Sequence, residues 1–419
     1  MNDAPLINRR HLLGGAATAA AAASVLHQSA TASAAKVQPE YTDRLEGALY
    51  GLAIGDGMGA PVEGWKAADI KKRFQDHDFS MFLPPTKPEL IGTNKGKGDG
   101  RITDDSLLLE ALIRSYETKL DHLDTHDYAE LFVPEYAERP VWVPERQADM
   151  PSIERPLWYP ERYSHLQLSV YNTEPRRAGM SNRETQSYCG YVMPIGAVNA
   201  GDPEAAYQEA ASFGLAAQTS YGLEAGAVTA ASFAAAFAHD ASVSDVIDAA
   251  SSLANDGTGA ALEAVLPLVD PRANLDEVIA TIRSAYLPFS GVIASAATSD
   301  MADLQDASIS GYGEPSRTVA IENPVVALAL LKWSGGEFMP ALKAAVFYGE
   351  DCESIAAHVA GLCGALNGRE SIPSSLRKTS DTNNKRDRRD AAARLANVAS
   401  EITKKDTARL ARRSVAISG

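Results

Sequence analysis

The chain has 419 residues, is 45% hydrophobic and 22% charged, and carries a formal net charge of −15 with three cysteines. A chain of this kind can bury a full core as one large domain or two ordinary ones, and it is too apolar for wholesale disorder. Its cysteines are too few and too odd in number for a disulfide scaffold, and its acidity argues against an undirected nucleic-acid binder, which a polyanion would repel.

Aromatic residues make up only 7% of the chain while alanine is abundant, so the core must be packed from small residues. That favours closely approaching helices over a β-sandwich. Residues 1–35 read as an export signal rather than as part of the fold. Arg9-Arg10 precedes an apolar stretch from Leu12 to Leu26, and small-x-small patterns follow at Ala30-Thr31-Ala32 and Ala32-Ser33-Ala34. This is a twin-arginine pattern with cleavage expected after Ala34 or Ala35, and the apolar stretch is too short to span a bilayer. The mature protein, residues 36–419, is then expected to be secreted or periplasmic, with no stable membrane insertion. Export of an already folded chain also leaves Cys189, Cys352 and Cys363 with no need of partners.

Helical periodicity predicts a first helix from Asp43 to about Gly55, with Leu45, Leu49, Leu52 and Ile54 as its apolar positions. At its end the segment Gly51-Leu52-Ala53-Ile54-Gly55-Asp56-Gly57-Met58-Gly59-Ala60-Pro61-Val62-Glu63 reads as a turn at a helix end. It also passes loosely as a phosphate loop, but no strand precedes it and no P-loop lysine follows. Next comes Gly98-Asp99-Gly100-Arg101-Ile102-Thr103-Asp104-Asp105-Ser106, directly ahead of a strong helix over Asp105–Leu120. Taken alone, Thr103 or Asp104 is an N-cap and Asp105 complements the helix dipole.

Residues 133–182 read as an irregular Pro- and aromatic-rich insertion, with Trp142-Val143-Pro144-Glu145-Arg146 repeated as Trp158-Tyr159-Pro160-Glu161-Arg162. An αα pair is expected over Pro203–Ala217 and Leu223–His239. Further helices are expected over Val243–Leu253, Leu275–Ala285, Pro324–Ser334 and Pro340–Val346. A third cluster, Gly349-Glu350-Asp351-Cys352-Glu353-Ser354, again stands directly ahead of a helix, Ser354–Leu366, rich in small residues. The tail beyond Asn367 has 13 basic and 6 acidic residues, and residues 385–419 read as a basic amphipathic helix docked on an acidic body. The base case is an all-α single domain.

Two acidic clusters at two helix N-termini supply adjacent carboxylates and hydroxyls, hard oxygen donors of the kind Mg²⁺ prefers. Brought together, such carboxylates would repel strongly unless cations neutralised them. No Cys/His spacing suggests zinc.

The order of these clusters resembles that of the ADP-ribosylglycohydrolase superfamily, which includes the dinitrogenase reductase-activating glycohydrolases. The resembling segments are Gly51 to Glu63, with Asp56 and Glu63 in register, Gly100 to Ser106, and Asp351-Cys352-Glu353-Ser354-Ile355-Ala356-Ala357. Met193 to Ala197, Asn199-Ala200-Gly201-Asp202-Pro203, and Gly361 to Gly368 with Ile372-Pro373 also follow the pattern, which spans roughly residues 41–410. The resemblance implies an orthogonal multi-helix bundle around a pair of Mg²⁺ ions, with Mn²⁺ as a substitute. It implies the ligands Thr103, Asp104, Asp105, Asp351, Glu353 and Ser354, and a base in Asp105 or Glu63. The reaction implied is hydrolysis of the ribosyl C1 bond of an ADP-ribosylated protein or a related ADP-ribosyl compound.

Four departures stand out. Glu353 replaces the usual aspartate and reaches one methylene farther, Ser354 replaces threonine, and Glu350 adds negative charge beside the site. Ala217-Gln218-Thr219-Ser220 stands where many members carry a histidine. The competing readings are a hydrolase of another ribosyl or glycosyl small molecule, and a catalytically silent metal-binding or structural protein, for which lens crystallins of the same fold are the precedent.

Overall fold

The computed structural model describes residues 39–155, 159–182, 184–289 and 319–418. The export signal expected at residues 1–35 lies outside them. Fifteen helices carry the description that follows: α1 Pro39–Gly59, α2 Ala67–Phe74, α3 Asp104–Lys119, α4 Tyr159–His165, α5 Met193–Val198, α6 Pro203–Gly214, α7 Ser220–Ala236, α8 Val243–Leu253, α9 Asp256–Val265, α10 Leu275–Tyr286, α11 Val319–Ser334, α12 Phe338–Tyr348, α13 Cys352–Asn367, α14 Ser374–Asn384 and α15 Arg388–Ser418. Among the described residues the one sheet is a hairpin, β1 Pro140–Val143 against β2 Ala148–Pro151, antiparallel with Val141 opposite Met150. No described helix is long and apolar enough to cross a membrane.

The alanine-rich core forms around α1, α7, α11 and α13. Its organising contact is between α1 and α13. Gly47, Gly51, Gly55 and Gly59 recur every fourth residue and therefore share one face of α1. On that face a Cβ at Gly51 would stand 2.1 Å from the Ala360 carbonyl oxygen, at Gly55 2.3 Å from that of Ala356, and at Gly59 2.5 Å from Glu353 Cα. The backbones touch, with α1 running antiparallel to α13. The glycines expected to form a turn thus lie inside the helix. Glycine in a helix interior costs about 1 kcal/mol relative to alanine. Here close approach of a second backbone is what requires it.

The ladder fixes which ends meet: the C-terminus of α1 lies at the N-terminus of α13. The far end is closed by the buried Arg44, which donates to the carbonyls of Ala365 (2.6 Å), Ala238 (2.8 Å) and Ala236, satisfying C-terminal carbonyls near the ends of α7 and α13.

Several boundaries shift from the sequence reading. α11 continues through Pro324, and α2, α9 and α14 are additional. Residues 133–182 contain the hairpin, α4 and shorter helical turns. Val143 of β1 packs with Ala53, Ile102 and Leu107, so the hairpin closes over the base of α3. α15 buries Ala392, Leu395, Val398 and Ile402, while Leu410, Val415 and Ile417 beyond them are exposed. Its basic residues meet acidic partners on the body, Arg394 bonding Glu117 and Arg409 bonding Asp121 at 2.7 Å.

Candidate functional site

Three chain segments converge where α1 ends and α3 and α13 begin. Asp56, on the last turns of α1, is fully buried. Its carboxylate accepts hydrogen bonds from the Thr103 amide (3.0 Å) and hydroxyl (2.8 Å), the Ser106 amide (3.3 Å) and the Ser106 hydroxyl. Thr103, N-cap of α3, does not make the side-chain cap bond expected of it, and Asp351, N-cap of α13, makes none either. Asp56 satisfies the N-terminus of α3 from another helix instead, which leaves Asp104 and Asp105 for other contacts.

The second convergence is stapled by backbone. Beyond α1, Gly64 N donates to Glu350 O (2.7 Å), and Glu350 N donates to Trp65 O (3.1 Å). These bonds draw Glu63 to the start of α13, where oxygens of Glu63, Asp351 and Glu353 lie within 4.8 Å of one another. Thr103 Oγ1 is 3.5 Å from Glu353 Oε1, so the two acidic clusters face each other. Asp351 Oδ2 accepts from Gln186 Nε2 at 2.6 Å. Gln186 opens the 3-10 helix Gln186–Tyr191, whose Gly190 lies against Asp105: a Cβ there would stand 2.1 Å from Asp105 Oδ1. Asp105 is 6% exposed, and its Oδ2 has no hydrogen-bond partner.

Two side-chain cations enter this acidic set. Lys97 Nζ bonds Glu63 Oε2 and lies 3.0 Å from Glu353 Oε2. Arg155, 3% exposed, pairs with both Asp104 and Glu145. Glu145 and Glu161 are the matching positions of the repeated Trp-x-Pro-Glu-Arg pattern. Glu161 is buried and accepts from the Ser187 hydroxyl.

The electrostatics follow from burial and crowding. Burial raises the Asp105 carboxyl well above the usual range, and the charges of Asp104, Asp56, Glu353 and Asp351 raise it further. Asp56 and Asp351 are raised by burial and then by Glu353. Asp104 moves the other way, because Arg155 and Lys97 more than reverse the effect of burial. Burial would lower Lys97, but Glu353, Asp104 and Glu145 outweigh it and hold the ammonium charged. Burial pushes Glu161 up to about 7, with the Ser187 hydroxyl bond opposing the shift and Asp104 adding to it.

Thr103, Asp104, Asp105, Glu63, Asp351, Glu353 and Ser354 all belong to this one constellation, with the Ser354 hydroxyl bonded to Asp351. Glu350 turns away and pairs with Arg283 at 2.6 Å, so its charge is compensated outside the cluster. Asp56, named in the motif but given no role, ties α1 to α3. Lys97, Arg155, Gln186, Glu145 and Glu161 are further members that the sequence reading did not assign. The Trp-x-Pro-Glu-Arg repetition was the available signal for the two glutamates.

A solved structure titled "ADP-ribosylglycohydrolase-related protein complex" is similar to this chain at 19% identity and a TM-score of 0.49, over 86% of this chain and 100% of that one. No curated protein matches the chain. The family model described as ADP-ribosylglycohydrolase matches residues 37–408, nearly the whole described fold, and the chain belongs to that family.

Proposed function

We propose that the chain is a glycohydrolase that cleaves the bond at ribose C1 of an ADP-ribosylated protein or a related ADP-ribosyl compound, with the help of Mg²⁺ or Mn²⁺. The observation that carries the reading is the meeting of two acidic helix N-termini around a buried carboxylate oxygen, Asp105 Oδ2, that has no partner. Family membership supplies the reaction class. Cleavage at an anomeric carbon develops oxocarbenium character and needs an activated water and a stabilised leaving group.

The donor set is suited to a hard divalent cation: carboxylates and a hydroxyl, with no sulfur or imidazole among them. Asp105, Asp351 and Ser354 would hold it. Such an ion orients ribose hydroxyls and acidifies water when bound. The chain's own residues do the rest. Asp56 locks the start of α3, Gln186 orients Asp351, and Gly190 lets the Asp105 carboxylate lie against the backbone. Of the two candidate bases, Glu63 is engaged by Lys97, whereas Asp105 keeps a free oxygen. That favours Asp105 as the acceptor of the proton from the attacking water.

Residues 1–35 complete the reading as a twin-arginine signal, which places the working enzyme outside the cytoplasm. The test of function is release of free ADP-ribose from ADP-ribosylated peptides, resolved by chromatography and mass spectrometry. Wild type with Mg²⁺ is expected to turn over, and Asp351→Asn to be inactive. Wild-type failure on arginine-, serine- and acid-linked substrates alike would remove the proposal.

A further inference from the structure

Lys97 stands where a second cation of the acidic cluster would stand. Its Nζ bonds Glu63 and lies 3.0 Å from Glu353 Oε2. The two carboxylates it joins belong, with Asp351, to a group of three whose oxygens lie within 4.8 Å of one another. Glu353 has its other oxygen, Oε1, at 3.5 Å from the Thr103 hydroxyl, so both its oxygens are engaged. On the opposite side, Asp104 is engaged by the buried Arg155, which Glu145 holds from behind. What the cluster leaves without a partner is the buried Asp105 Oδ2, while Asp351 is bonded only to the neutral Gln186 and Ser354 side chains among the partners described.

The placement of Lys97 is built rather than incidental. The loop that carries it is fastened on both sides. Arg101, 3% exposed, donates from Nε to Gly96 O at 2.7 Å. Gly96 N donates to the Glu145 carbonyl (2.8 Å), and Asp99 N donates to Leu83 O (2.8 Å). From α14, Asn383 donates to Asp99 O (2.6 Å) and Asn384 to Gly100 O (2.8 Å). An ammonium on a restrained loop, bonded to two carboxylates, neutralises them as a metal ion would, and like charge excludes a divalent ion from the same oxygens.

We propose that Lys97, seconded by Arg155 on Asp104, is a permanent side-chain cation occupying one of the cation positions, so that the site takes a single divalent ion on the Asp105–Asp351 side. The longer side chain of Glu353 then serves to reach Lys97. This rests on the divalent-ion part of the proposed function and is independent of which substrate is cleaved.

The test reads metal stoichiometry without substrate. The metal-stripped mature protein is titrated with Mn²⁺ by calorimetry, and the bound ion is examined by electron paramagnetic resonance. Wild type is expected to bind one Mn²⁺ per chain, with the signal of an isolated ion. Lys97→Met and Lys97→Gln are expected to admit a second Mn²⁺ with an exchange-coupled signal, while Lys97→Arg stays at one. Circular dichroism establishes that each variant is folded. Two ions in wild type, no ion in wild type, or folded Met and Gln variants indistinguishable from wild type would each overturn the inference. If both neutral variants fail to fold, the wild-type count decides alone. A chain that binds one ion and releases no ADP-ribose keeps this inference and loses the proposed substrate.

Discussion

Replacing Gly55 by alanine inverts the usual effect of that substitution in a helix. In an exposed helix interior the added methyl stabilises by about 1 kcal/mol through backbone entropy. At Gly55 the new Cβ would stand 2.3 Å from both C and O of Ala356 and 2.4 Å from Ala357 N. Ordinary contact begins near 3.4 Å, so α1 and α13 must separate by about 1 Å at this rung. The obstruction is main chain, so no rotamer change relieves it. The neighbouring rungs at Gly51 and Gly59 are just as close. Overpacking of this kind costs about 3 kcal/mol, the upper end of its usual range, which after the propensity gain leaves a net loss of roughly 2 kcal/mol.

The assay is urea denaturation of the mature protein, read as a lower midpoint at unchanged slope. A 1 Å shift at the start of α13 also displaces Asp351, and turnover is expected to fall ~10²-fold. Ala356→Gly added to Gly55→Ala is expected not to rescue either quantity, because the clash is with the Ala356 carbonyl rather than its methyl. A Gly55→Ala protein as stable as wild type, or more stable, would refute the backbone-contact reasoning.

The His122 imidazolium bridges two carboxylates, donating from Nδ1 to Glu209 over 2.5 Å and from Nε2 to Asp406 of α15 at 2.9 Å. Burial lowers its pKa, but these two carboxylates raise it overall, to about 9. The folded value exceeds the unfolded one near 6.5, so the stabilisation is complete below about pH 6.5 and is lost as pH rises through about 9. Denaturation midpoints across that window should fall in wild type and stay flatter in His122→Leu; parallel profiles would count against the bridge. For export, Arg9→Lys combined with Arg10→Lys is expected to retain the precursor in the cytoplasm, read by fractionation and immunoblot. Normal export of the double variant would exclude the twin-arginine route.

The helices were legible where one apolar face ran long enough, as in α3, α8 and α13, and the acidic clusters were legible as clusters because their members are adjacent in the chain. The glycines of α1 were misread for a physical reason. In local terms glycine marks a turn, and only the approach of α13 makes it the right residue inside a helix. Lys97 and Arg155 were not legible at all. Lys97 lies in a polar loop and Arg155 in the Pro- and aromatic-rich insertion, and nothing local states that Arg101 and Asn384 hold the first or that Val143 packs the second over α3.

Sequence by itself therefore determined the all-α class, the donor chemistry and the order of the motifs, since these depend on residue type and spacing within a few turns. The tertiary structure decided which carboxylates meet and which cations already stand among them. Asp56 reaches across to α3 where the neighbouring Gly57 lies against the Gly100 backbone just ahead of that helix. Glu353 meets an ammonium from a loop more than two hundred residues away. Such contacts depend on where whole elements are packed, and no local spacing encodes them.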